Sequence, residues 1–191
     1  MDFTALFIVV IVIFFIYFNF KNSFLNLTYV KSTVDGRRYL VRNVKDKQKA
    51  ANTLAKINQN LIQLIEHLHK NNPDNIDIKR LKNNFDPDNI SESTQYSKHT
   101  SYSVNKGEKI VFCIRSKKTN ELENYNILMF VALHELGHLM SKSIGHTEEF
   151  WRNFKFLLKE AVKIGIYIKD DFDKNPVEYC GTNITDTPLN E

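Results

Sequence analysis

Residues 123–151 read ENYNILMFVALHELGHLMSKSIGHTEEFW. Ile127, Leu128, Phe130, Val131, Leu133, Leu136 and Leu139 cover most of a helical circumference, which predicts a central buried helix from about Glu123 to Lys142. His134, Glu135 and His138 stand in its middle in H-E-x-x-H order. Four residues turn a helix by roughly 400°, so the two imidazoles lie about 40° apart, one turn above the other. Both can reach one zinc ion (Zn2+) at about 2.0–2.1 Å. Glu135 is rotated by about 100° from His134 and flanks the metal, where a carboxylate can accept a proton as general base. Polar and charged groups inside an apolar helix need partners, and a metal with its surrounding hydrogen bonds supplies them.

A catalytic zinc takes three protein ligands and keeps one open position. His146 is the candidate for the third. It follows a break at Ser143-Ile144-Gly145, just before a helix that Thr147 caps and Glu148 and Glu149 favour through its dipole. The metzincin spacing fails, because Ser141 and Ile144 stand where its Gly and His belong. Glu160 and Glu149 are the alternatives if the third ligand is a carboxylate on the following helix. That helix continues through Phe150, Trp151, Phe154, Leu157, Leu158 and Ala161.

The motif H-E-L-x-H, followed by His146-Thr147-Glu148-Glu149-Phe150-Trp151, resembles the signature of the WLM and SprT-like zinc peptidases, and most of all the WLM-type proteins of large DNA viruses. The likeness extends from Val44 to Thr185 and includes Tyr179-Cys180-Gly181-Thr182. It implies a minigluzincin-like α+β domain with a hairpin edge strand beside the active helix, three histidine ligands and Glu135 as base. The gap between His138 and His146 is longer than cellular WLM proteins lead one to expect. No DNA-binding segment is evident, so a role in cutting DNA-crosslinked proteins does not carry over.

Outward from this core, Ala50, Leu54, Ile57, Leu61, Leu64, Ile65 and Leu68 predict a long amphipathic helix over 45–70. His67 and His69, two apart on it, point in different directions and do not share a metal. Asp35-Gly36 signals a hairpin between Leu27–Val34 and Arg37–Val41, and Asn105-Lys106-Gly107 a second between Thr100–Val104 and Lys109–Arg115. A short helix is expected at Ile76–Leu81, a surface loop over 83–99 and an irregular tail from Asp170. The expected fold is thus three main helices with a small antiparallel sheet.

From Phe3 to Phe18 the chain is almost wholly apolar, Asn19 and Phe20 extend the run, and Lys21 ends it. As a helix of about eighteen residues it reaches roughly 27 Å, close to a hydrocarbon core of about 30 Å. Asp2 and the absence of a small-residue cleavage pattern argue against a signal peptide. The expectation is a transmembrane anchor at 1–20, a juxtamembrane segment at 21–43, the peptidase domain at 44–185 and a tail at 186–191. Lys21, Lys31, Arg37, Arg38 and Arg42 would set that domain on the cytoplasmic side of a virion or host membrane.

With 26 basic and 22 acidic residues spread along 191, the charge does not argue for nucleic-acid binding. Cys113 and Cys180 lack metal-binding spacing, and Cys113, inside an apolar run, reads as a reduced, buried small hydrophobe. The function expected is hydrolysis of protein or peptide substrates, with Lys109–Arg115 pairing the substrate as an added strand. The competing reading is a non-enzymatic membrane or virion-associated protein whose zinc site only supports the fold.

Overall fold

The computed structural model describes residues 3–24 and 26–190. In chain order these form α1 (Phe3–Phe24), β1 (Leu27–Lys31), β2 (Arg38–Arg42), α2 (Lys47–Asn71), α3 (Ile76–Asn84), β3 (Ile90–Glu92), β4 (Tyr102–Val104), β5 (Lys109–Phe112), α4 (Tyr125–Met140), α5 (Glu148–Lys163), β6 (Val177–Tyr179) and β7 (Thr182–Ile184). The four helices and four strands anticipated around the motif are present. Two regions depart from expectation: the loop over 83–99 contains β3, and the tail contains the β6–β7 hairpin.

The main sheet is mixed, in the order β1-β2-β3-β5-β4, which corrects the expected small antiparallel sheet. β3 lies parallel to both β2 and β5, with Leu40 opposite Ser91 and Ile90 opposite Ile110. β4 runs antiparallel to β5 and ends the sheet, with Tyr102 opposite Val111 and Ser103 opposite Ile110. β5 is therefore enclosed on both sides and offers no edge to a substrate; the edge belongs to β4. Residues opposite one another share a face of the sheet. Ser103 accordingly points with Ile110 toward the core, and Tyr102 with Val111 away from it.

α2 packs across β1, β2 and β3 through its stripe Leu54, Ile57, Leu61 and Leu64. α4 is buried around most of its circumference and packs on α5, α3, α2 and β4. Gly137 makes the α4–α5 approach possible: a Cβ there would meet the Phe150 ring at 3.0 Å.

The N-terminal expectation is overturned. α1 is helical, but among the described residues no helix is long and apolar enough to cross a membrane. The apolar run Phe3–Phe18 spans about 24 Å at 1.5 Å per residue, short of a core of about 30 Å. It is followed by the polar Asn19, Lys21 and Asn22. The single-pass anchor, the membrane as partner and location, and the cytoplasmic orientation argued from its flanks fall together. Residues 1 and 2 of that anchor lie outside the described residues.

The reading of the cysteines is also corrected. Cys113, just past β5, and Cys180, at the tip of the β6–β7 hairpin, form a disulfide across 67 residues. Nothing in their spacing announced the pair. It fastens the hairpin, with Tyr179 beside the crosslinked cysteine, to the end of the strand next to β4.

Candidate metal centre

α4 carries His134, Glu135 and His138, and the loop between α4 and α5 brings His146 back to them. That return needs a left-handed turn, which Gly145 supplies with φ +81°. The Nε2 atoms of His138 and His146 lie 3.2 and 3.1 Å from Nε2 of His134. Ligands at about 2.0–2.1 Å around a tetrahedral ion stand roughly 3.3 Å apart, so the donor set fits zinc without rearrangement. Among the described residues these three form the one group of histidine, cysteine, aspartate or glutamate that could hold a metal ion.

The aromatic side chains of α5 fix the imidazoles. His138 stacks on Phe150 at 4.4 Å, His134 meets Phe150 and Phe154 edge-on, and His146 leans on Trp151 at 5.7 Å. Burial drives the His134 imidazole down to about 3 and His138 to about 4, so both are neutral near pH 7, the form that binds a metal.

The loop carrying His146 is braced from three sides. Lys106 donates to the carbonyls of His138, Ser141 and Ser143 at 3.1, 2.9 and 2.5 Å. Arg80 and Asn84 from α3 take the carbonyls of Met140 and Leu139. The last carbonyls of α4 are thereby satisfied, with cations at the negative end of its dipole. Glu149 accepts from the backbone N–H groups of Lys142 and Ser143 at 2.8 and 2.9 Å. These bonds hold its carboxyl down at about 2. As a possible third ligand Glu149 is thus already engaged. Glu160 is engaged too, facing His67 on α2 at 3.2 Å.

Glu135 is 4% exposed, and its Oε2 has no hydrogen-bond partner. Desolvation pushes its carboxyl up to about 7, against a weaker pull from the side chain and backbone of Ser103. His134, Glu135, His138 and His146 line one cleft of about 480 Å³. Its opposite wall is the β4 edge with Ser101 and Ser103, and the exposed Ile144 sits at its lip. Tyr179 is not in the wall. It is buried behind it, and its hydroxyl lies 2.6 Å from Ser101 Oγ.

Sequence reasoning missed Ser101, Ser103, Lys106 and the bracing role of Glu149. The alternation over 100–104 could have found the two serines, since residues two apart on a strand share a face. Lys106 carries no such signal: it lies in a hairpin turn, and its contacts are made to a distant helix end.

A helix-borne histidine pair with a carboxylate between them and a third histidine from the next loop defines the class of H-E-x-x-H metal-site domains. The chain belongs to the WLM domain family, whose model matches residues 34–190. It is 34% identical over 178 residues to an uncharacterized protein of Acanthamoeba polyphaga mimivirus, covering 91% of this chain and 90% of that one. It is also 40% identical over 83 residues to an uncharacterized protein of Invertebrate iridescent virus 6, covering 42% and 44% of the two chains. The crystal structure of Wss1 from Saccharomyces cerevisiae superposes with a TM-score of 0.48 at 20% identity, over 65% of this chain and 86% of that one. Family membership gives the chain a metallopeptidase-like fold.

Proposed function

We propose that this protein is a zinc-dependent peptidase in which His134, His138 and His146 hold the metal and Glu135 is the general base. The observation that carries the reading is the buried Glu135 carboxylate, with one oxygen unpartnered, in the same cleft as three converging imidazole nitrogens. A structural zinc takes four protein ligands, whereas a catalytic one takes three; the three-histidine group favours the second.

When bound, zinc polarises a carbonyl and acidifies water. The chain's own groups do the rest. Glu135 accepts the proton of the attacking water and, once protonated, can deliver it to the departing amine. Ser103 faces Glu135 and orients it. The unpaired edge of β4 favours an extended substrate laid alongside as an added strand, with its scissile bond toward α4.

Metal analysis of the full chain, with cleavage of a peptide library, tests the reading. His146→Ala should lose most of the bound zinc and melt at lower temperature, because site formation is coupled to folding. Glu160→Ala should keep its zinc. The reverse pattern would move the third ligand to α5.

A further inference from the structure

Resting on the peptidase reading, we propose that Ser101 is a further catalytic residue, whose hydroxyl hydrogen is held toward the cleft by Tyr179 to stabilise the oxyanion formed at the scissile carbonyl.

A serine hydroxyl has one hydrogen to give and two lone pairs to fill. At Ser101 both lone pairs are taken. The backbone N–H of Cys113 donates to Oγ at 3.1 Å, and an N–H can only donate. The Tyr179 hydroxyl is the other neighbour, at 2.6 Å. Its direction of donation follows from burial. Tyr179 is 2% exposed, and among the described residues Ser101 Oγ is the one acceptor in reach of its hydroxyl, its other neighbour, the Cys113 backbone N–H, being a donor. If serine donated to the phenol, the phenolic hydrogen would be buried without an acceptor, at a cost of about 1–3 kcal/mol. The phenol therefore donates.

The serine hydrogen is left with the third direction, and Ser101, half-buried, lines the cleft that holds the histidines and Glu135. Glu135 does not use it, since the residue drawn to that carboxyl is Ser103. The arrangement is an O–H donor fixed from behind by two bonds and facing the cleft of the three histidines. Such a donor stabilises charge that appears only in the transition state, and removing one from other hydrolases costs about 10²–10³-fold in kcat. Tyr179 acts through Ser101 and is a positioning residue. The disulfide at Cys180, its neighbour in sequence, fastens it in place.

The test compares the full-length wild type, Ser101→Ala and Tyr179→Phe, each loaded with zinc. Peptide hydrolysis and affinity for a phosphinic peptide, a tetrahedral mimic of the oxyanion, are both measured. Ser101→Ala should lower kcat by about 10²–10³-fold, change KM little and weaken phosphinate binding by a similar factor. Its zinc content should match the wild type, while its melting temperature should fall, because the buried Tyr179 hydroxyl and the Cys113 N–H lose their shared partner. Tyr179→Phe keeps the serine hydroxyl but frees its rotation, and should lose about tenfold in kcat, a smaller effect than deleting the donor. A Ser101→Ala protein that hydrolyses and binds phosphinate like the wild type overturns the assignment alone. If Ser101→Ala does not fold, an unchanged kcat in Tyr179→Phe overturns it instead. A wild type that holds zinc yet neither cleaves peptide nor binds the phosphinate overturns the peptidase reading and this assignment with it.

Discussion

Glu135→Gln is expected to reduce peptide hydrolysis by about 10²–10⁴-fold, the usual cost of losing a positioned general base, while zinc content stays at the wild-type level. The amide matches the carboxylate in shape but cannot accept a proton. It is also easier to bury. Glu135 is 4% exposed and its carboxyl is disfavoured as an anion by desolvation, so the neutral variant should melt no lower than the wild type. The pairing of lost activity with retained metal and retained stability separates a base from a ligand. The three imidazoles lie within ligating distance of one another without Glu135. Loss of zinc in Glu135→Gln would show the carboxylate to be part of the metal's support. Persisting hydrolysis would place the base elsewhere.

The site was legible in the sequence to the extent that helical geometry alone determines it. Within α4, the spacing of His134, Glu135 and His138 fixes their relative direction before any tertiary contact forms. His146 was reachable by the same logic, from a glycine break and the Thr147 cap, whose hydroxyl does accept the Phe150 N–H. What surrounds these residues was not legible. Lys106 and Ser101 at the cleft and Tyr179 behind it come from three segments whose meeting depends on strand order. That order turns on β3, a strand of three residues whose Ser91 and Glu92 read as loop because they are polar. A buried strand normally shows an apolar run; here the charge of Glu92 is absorbed by cross-strand arginines, while Ser91 Oγ is buried without a partner. The N-terminal error has a different origin. The length argument there counted Asn19 and Phe20 into the run, whereas the unbroken apolar stretch ends at Phe18.

Those cross-strand charges lead to the other large expected effect: Glu92→Gln should destabilise the fold by about 3–5 kcal/mol, the cost of stripping one partner from a buried ion pair. Glu92 on β3 is wholly buried and lies between Arg42 at the end of β2 and Arg115 beyond β5. Its Oε1 accepts from Arg115 Nε at 2.9 Å, and its Oε2 accepts from the Arg42 backbone N–H at 2.7 Å. Burial pushes the carboxyl above its ordinary value, and the guanidiniums and the Arg42 N–H pull it back. Without the anion, two guanidiniums with side chains 4% and 2% exposed remain in a pocket where Asp46, the other carboxylate, reaches only Arg115. The damage should reach the cleft, since β3 sets the position of β5 and β5 sets that of β4. Urea unfolding measures it as a lower midpoint at an unchanged slope. A triple variant, Arg42→Met with Glu92→Leu and Arg115→Met, removes every member of the triad at once. It should lose less than Glu92→Gln alone, because no unpaired charge is left behind. A Glu92→Gln protein within about 1 kcal/mol of wild type, the range of an exposed pair, would mean that solvent reaches the triad and that packing, not charge, aligns the three strands.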